Sequence, residues 1–143
     1  MLFGKDARET NKTVDMKIVG TGIDVVEISS VSELLRSPER YFEVACFTDS
    51  ELASLNVRNR VLLIAERFAA KECVLKALGT GWTQGIAWTD IEILADASGK
   101  PTIVLGGQAA QIATSLKIAE WALEMTHCKT HAIATTIAWT NGL

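Results

Sequence analysis

RNRVLLIAERFAAKECVLKALGTG, residues 58–81, is the stretch on which the fold turns. Arg58 to Leu78 is rich in strong helix formers and holds neither proline nor glycine, which predicts one long helix. Val61, Ile64, Ala65, Phe68, Leu75 and Leu78 mark its buried stripe. Gly79 stops it, because glycine readily takes the left-handed conformation common just past a helix end.

Upstream, Lys17 to Ile28 (KIVGTGIDVVEI) is rich in β-branched residues with small residues in its middle. That suits a strand whose backbone approaches something closely at Gly20 and Gly22. Ser29 to Arg36 and Glu39 to Ala45 read as short helices, with Pro38 at a first-turn position. Thr48 and Glu51 have the spacing of a capping box that opens another helix. Downstream, Ile86 to Leu94 alternates like a half-buried strand, Asp96 to Pro101 (DASGKP) is a turn, and Thr102 to Leu105 is the hairpin partner. Gly107 to Leu116 predicts one more helix. Trp121 to Cys128 and Ala132 to Trp139 predict a final hairpin across Lys129-Thr130. One strand, then helices, then mostly strands points to an α+β fold, a long central helix packed on a small antiparallel sheet. Residues 1–15 read as a polar tail or alternative start, since a second methionine stands at position 16. Residues 16–143 then form a single domain, with no internal repeat or linker.

The composition excludes several classes. With 48% hydrophobic and 22% charged residues the chain is globular rather than disordered. Its net charge of −3 argues against broad nucleic-acid binding, so an anionic ligand must be met by local cations, which cluster between Arg58 and Lys76. No apolar run is long enough for a membrane span and residues 1–15 are too polar for a signal peptide, which predicts a cytoplasmic protein. Cys46, Cys73 and Cys128 are an odd number without close pairing and read as buried thiols rather than disulfides or a zinc site. Trp82, Trp88, Trp121 and Trp139 are scattered over separate elements, as core or interface residues would be.

Asp24 is the first residue to carry chemistry, a carboxylate within an otherwise apolar strand, where aspartate is depleted and seldom buried unless paired or bound to a metal. Strand alternation puts Asp24 and Val26 on one face and Val25 and Glu27 on the other, so a second carboxylate must come from elsewhere. Glu72 is the natural candidate. Glu72 and Lys76 stand four apart on one helix face, a spacing that also suits a surface ion pair worth roughly 0.2–0.5 kcal/mol. Gly79-Thr80-Gly81 presents backbone N–H groups and a hydroxyl at the helix end. That end carries the negative pole of the macrodipole, so a phosphate there needs Lys76 or Lys71. One or two carboxylates completed by phosphates and water are what magnesium prefers, which points to metal-assisted phosphoryl transfer. His127 and His131 flank a turn, but a third and fourth zinc ligand are not evident.

GTGIDVVEI at 20–28, RFAAKECVLKALGTG at 67–81 and DIEI with SGKP between 90 and 101 together resemble the holo-acyl-carrier-protein synthase family of 4'-phosphopantetheinyl transferases. The likeness continues through Met125 to Cys128 and Ala132 to Ala138. The resemblance implies that Asp24 and Glu72 bind a magnesium ion that also holds the diphosphate of coenzyme A. It further implies a 4'-phosphopantetheinyl transferase-like fold assembled as a homotrimer with sites between subunits. Lys76 would contact phosphate, while Arg67, the turn Gly79, Thr80 and Gly81, and the turn Ser98, Gly99, Lys100 and Pro101 would line the coenzyme cleft. His127 matches a histidine near that site.

The implied reaction moves phosphopantetheine from coenzyme A to a serine of an acyl carrier protein in fatty acid biosynthesis, releasing adenosine 3',5'-bisphosphate. Glu72, directly or through a metal-bound water, would be the base and Lys76 would help neutralise charge. Two alternatives are the same chemistry on a polyketide or polyunsaturated-lipid synthase carrier domain, and a non-catalytic trimer that binds coenzyme A or a carrier. Two departures from the family stand out. The first helix opens with Ser29-Ser30-Val31-Ser32-Glu33 and draws charge only from Arg36 and Arg40, where relatives often carry several basic residues facing the carrier. Glu124 stands where serine is common, which is tolerable beside phosphate only if it points to solvent.

Overall fold

The computed structural model describes residues 15–55, 57–81 and 85–142. The expected tail, apart from Asp15, and Trp82 therefore lie outside the described residues. Strand β1 (Met16–Glu27) leads into three short helices, α1 (Ile28–Leu34), α2 (Tyr41–Cys46) and α3 (Asp49–Ala53), and then the long α4 (Arg60–Leu78). A hairpin of β2 (Ile91–Ala95) and β3 (Pro101–Leu105), helix α5 (Gly107–Ser115) and a hairpin of β4 (Glu120–His127) and β5 (His131–Asn141) complete the chain. The larger sheet has the order β1-β5-β4, antiparallel throughout, and β2-β3 stands as a separate pair. The expected α+β architecture is the observed one.

α4 lies across the larger sheet, and the two strand glycines set how close it comes. A Cβ at Gly22 would stand 1.8 Å from the Cys73 carbonyl oxygen, and one at Gly20 would stand 2.0 Å from that of Ala77. No side chain fits at either position, so the β1 backbone meets the helix directly. This contact fixes the distance between Asp24 on β1 and the last turns of α4.

The expected stripe on α4 is narrower than the surface it buries. Ala69, Ala70, Cys73, Val74 and Ala77 are buried as well, because α1, β2 and α5 cover the flanks the sheet leaves open. Lys71 is buried with them, and its ammonium donates to Glu51 Oε2 at 2.8 Å and to the carbonyls of Ile91 and Trp88 at 2.5 and 3.1 Å. Glu51 caps α3 as its spacing with Thr48 predicts, and its other oxygen accepts the Ile93 N–H at 2.9 Å. One buried ion pair therefore ties α3, α4 and β2 together.

Two local expectations are corrected. The strand expected from Ile86 begins only at Ile91, because Trp88–Asp90 forms a 3-10 turn. The Asp90 carboxylate accepts from Ala87 and Gln108 N–H groups, both at 3.2 Å, and so joins that turn to the start of α5. Cys46 and Cys73 are buried as expected, but Cys128 is exposed, since it follows the last residue of β4 into the hairpin turn.

The buried Glu43 carboxylate is paired with Arg40 and Arg60, and its pKa is lowered to about 2, mainly by the hydrogen bonds from Arg40. A carboxylate depressed in the folded state contributes stability above its unfolded pKa and loses it as the pH falls through the folded value. We expect Glu43→Gln to lower the melting temperature at neutral pH and to narrow its gap to the parent protein between about pH 4.5 and about 2. Melting curves across that range check it; a constant gap contradicts it.

Candidate active site

Asp24, half-buried on β1, faces α4 as strand alternation predicts, and Glu27 lies exposed on the other face. Lys76 reaches from the last turn of α4 and donates to Asp24 Oδ1 and to the Ile23 carbonyl, both at 2.8 Å. The lysine is thus paired across to the strand, not along the helix to Glu72. Glu72, one turn earlier, is half-buried with its pKa raised, first by burial and then by the negative charge of Asp24, with Lys76 acting against both. The hydrogen bond from Lys76 to Asp24 is in turn the main cause that raises the lysine's pKa.

The donor chemistry suits a hard divalent cation. Two carboxylates whose charges oppose one another need a positive partner, and magnesium takes one or two carboxylates with waters and substrate phosphates in its remaining positions. Among the described residues no cluster of three or more acidic, histidine or cysteine ligands occurs. Asp24 and Glu72 are the residues that would hold such an ion, with Lys76 beside them.

The other expected site residues are distributed more widely. Gly79 caps α4 in the left-handed conformation at φ 75°, and the Gly79-Thr80-Gly81 turn begins three residues after Lys76 with an open surface at both glycines. Arg67 is buried, and its Nε has no hydrogen-bond partner among the described residues. Lys100 and Pro101 line a cavity of about 410 Å³ with Asp96, Glu120 and Trp121. Ser98 there donates to Asp96, whose carboxylate organises the turn that also contains Gly99. Lys76 lines a different cavity, about 410 Å³, with Thr21, Ile23, Thr135 and Ile137. His127 lines a third of about 730 Å³ beside Arg58, Arg60 and Lys129. The structure therefore brings Asp24, Glu72 and Lys76 together and leaves the DASGKP turn and His127 in separate cavities of the same chain.

The third cavity gathers cations that sequence reasoning had grouped only by proximity along the chain. Lys129 joins them because the β4–β5 hairpin returns it to the start of α4. His127 and His131 do not converge on a metal: His127 Nδ1 lies 2.8 Å from Glu66 Oε1, and His131 Nδ1 lies 2.8 Å from Thr130 Oγ1. Glu124 is exposed on β4. Trp88 packs on Phe68 with ring centroids 4.9 Å apart, and Trp121 lies against the main core.

Residues 20–136 match the model of the 4'-phosphopantetheinyl transferase superfamily, and the chain belongs to it; it is an enzyme of that class. Its particular relatives are holo-acyl-carrier-protein synthases. It is 40% identical over 121 residues to the holo-[acyl-carrier-protein] synthase of Vibrio cholerae serotype O1, covering 84% of this chain and 96% of the relative. The crystal structure of the Neisseria meningitidis holo-[acyl-carrier-protein] synthase is similar at a TM-score of 0.77 and 29% identity, over 85% of this chain and 98% of that one. A Bacillus anthracis holo-(acyl-carrier-protein) synthase in complex with CoA (3',5'-ADP) is similar at a TM-score of 0.69 and 28% identity, over 86% and 97% of the two chains. Among the described residues no helix is long and apolar enough to cross a membrane.

Proposed function

We propose that this enzyme transfers the 4'-phosphopantetheine arm of coenzyme A to a serine of an apo acyl carrier protein, with magnesium, in cytoplasmic fatty acid biosynthesis. The products are holo carrier protein and adenosine 3',5'-bisphosphate. The observation that carries this reading is the convergence of Asp24, Glu72 and Lys76 across a glycine-made strand–helix contact. When bound, magnesium supplies charge neutralisation at the coenzyme diphosphate. Lys76 stands beside it as a further cation for negative charge that builds on the leaving side. Glu72, directly or through a metal-bound water, takes the serine proton, since a carboxylate beside the reacting phosphate is within reach of it. The buried, unpartnered Nε of Arg67 suits an anion brought by the coenzyme.

A homotrimer fits two observations. Met16, Ile18, Ile23 and Val25 on β1 are each more than half exposed, an apolar face of the kind that marks protein interfaces. Lys76, the Lys100-Pro101 end of the DASGKP turn and His127 also fall in separate cavities of one chain, and a neighbouring copy would bring them to one site. The test is direct: incubate the protein with coenzyme A, magnesium and purified apo-carriers, and read the carriers by mass spectrometry. We expect the phosphopantetheine mass shift, and transfer rates to fatty-acid, polyketide and polyunsaturated-lipid carriers rank the physiological partner. No shift on any carrier sinks the transferase reading in favour of binding alone.

A further inference from the structure

His127 is tied to a residue that the reaction does not otherwise use. Glu66 sits on α4 one residue before Arg67, with its side chain 13% exposed against 48% for the imidazole it meets. An ionised carboxylate only accepts hydrogen bonds, so the 2.8 Å contact puts the proton on His127 Nδ1. Nε2 is then the free ring atom, in a cavity that also presents Arg58, Arg60 and Lys129. Part of that positive charge is already committed, because Arg60 is paired with Glu43. A carboxylate near an anion site repels the anion unless something stands between them. Here the imidazole does, bonding Glu66 through one nitrogen and leaving the other for the ligand.

We propose that Glu66 is a positioning residue that fixes the orientation of the His127 ring, so that its imidazolium form donates from Nε2 to a phosphate group of the coenzyme in this cavity. The proposal rests on the coenzyme reading above. A histidine whose second nitrogen is bonded to a carboxylate holds its ring orientation, and the imidazolium form donates from Nε2 to a phosphate oxygen. Without Glu66 the ring is free to rotate and Nε2 loses its fixed direction. The anion then loses one aligned, charge-assisted hydrogen bond.

The test is calorimetric titration of the full chain with coenzyme A and with adenosine 3',5'-bisphosphate, in magnesium, for the parent protein and for Glu66→Ala, Glu66→Gln, His127→Ala and the double alanine variant. We expect Glu66→Ala to weaken binding about 10- to 100-fold, the scale of one charge-assisted hydrogen bond. Glu66→Gln keeps an acceptor for Nδ1–H and should stay within about twofold of the parent, a rescue that mere loss of packing or of charge does not predict. In the His127→Ala background, Glu66→Ala should add nothing. Losses that multiply in the double variant, or parent-like binding by Glu66→Ala, overturn the role of Glu66 while parent binding keeps the coenzyme site standing; no binding by the parent overturns both. Nitrogen NMR of the parent protein gives a check free of any folding defect, since a proton on Nε2 rather than Nδ1 in the neutral ring contradicts the proposal.

Discussion

Asp24→Ala or Glu72→Ala is expected to abolish transfer, a loss of at least about 100- to 1,000-fold, the scale at which removing one preorganised electrostatic contact costs an enzyme. Each variant removes half of the charge that would hold the cation, and Glu72→Ala also removes the proposed base. The fold should survive. Burial and the charge of Asp24 both disfavour ionised Glu72, so at neutral pH its carboxylate works against folding and its removal costs no stability. The sign follows from linkage: a carboxyl group whose folded pKa is raised binds more protons in the native state, and stability falls as the pH rises through that interval. Asp24→Ala leaves Lys76 without its partner, but that lysine side chain is 52% exposed and returns to water at little cost. Transfer rates read by carrier mass, set beside melting temperatures, decide the matter. Full activity in either variant removes that residue from the site, and a collapsed melting temperature would instead make the pair structural.

Glu51→Ala should produce the largest loss of stability, about 3–5 kcal/mol, because it strands the Lys71 ammonium in the core. Both side chains are wholly buried, so no water can replace the missing carboxylate. The same substitution deletes the α3 cap and the acceptor for the Ile93 N–H. For a domain of this size the loss corresponds to a drop in melting temperature of roughly 10–20 °C. Burial already lowers the pKa of Lys71, with Glu51 opposing it. Once Glu51 is gone the unfolded chain holds that proton more tightly, so the deficit should shrink as the pH is raised toward the ordinary lysine range. Glu51→Leu with Lys71→Met should recover most of the stability, since an apolar pair of similar volume avoids both desolvation costs. Chemical denaturation of the two singles and the double gives the coupling directly, and a double variant as unstable as Glu51→Ala would show that the pair itself is not the cause.

Asp24 stands out in the sequence because it breaks a local rule, a carboxylate inside a strand; Glu72, four residues before Lys76 on one helix face, reads locally as half of a surface ion pair and is singled out only as a partner for Asp24. The long helix, its glycine stop, the Thr48–Glu51 cap and the final hairpin were legible by local rules as well, since propensity, capping and alternation act over a few residues. Glu66 was not. Its partner His127 lies on another element, and nothing along the chain distinguishes it from a solvated helix glutamate. Lys71 was equally hidden, since lysine in a helix ordinarily faces water and only the arrival of Glu51, Trp88 and Ile91 around it reveals a buried charge.

By itself the sequence determined most of the elements and their order, and it offered the side chains proposed to bind a cation and a diphosphate, because propensity, capping and short spacings belong to neighbouring residues. The tertiary structure alone decided that Lys76 pairs with Asp24 rather than with Glu72, that Gly20 and Gly22 let β1 touch α4, and that His127 joins Arg58, Arg60 and Lys129. Those outcomes depend on contacts between residues far apart in the chain, where distance and burial, not residue type, set which charges meet.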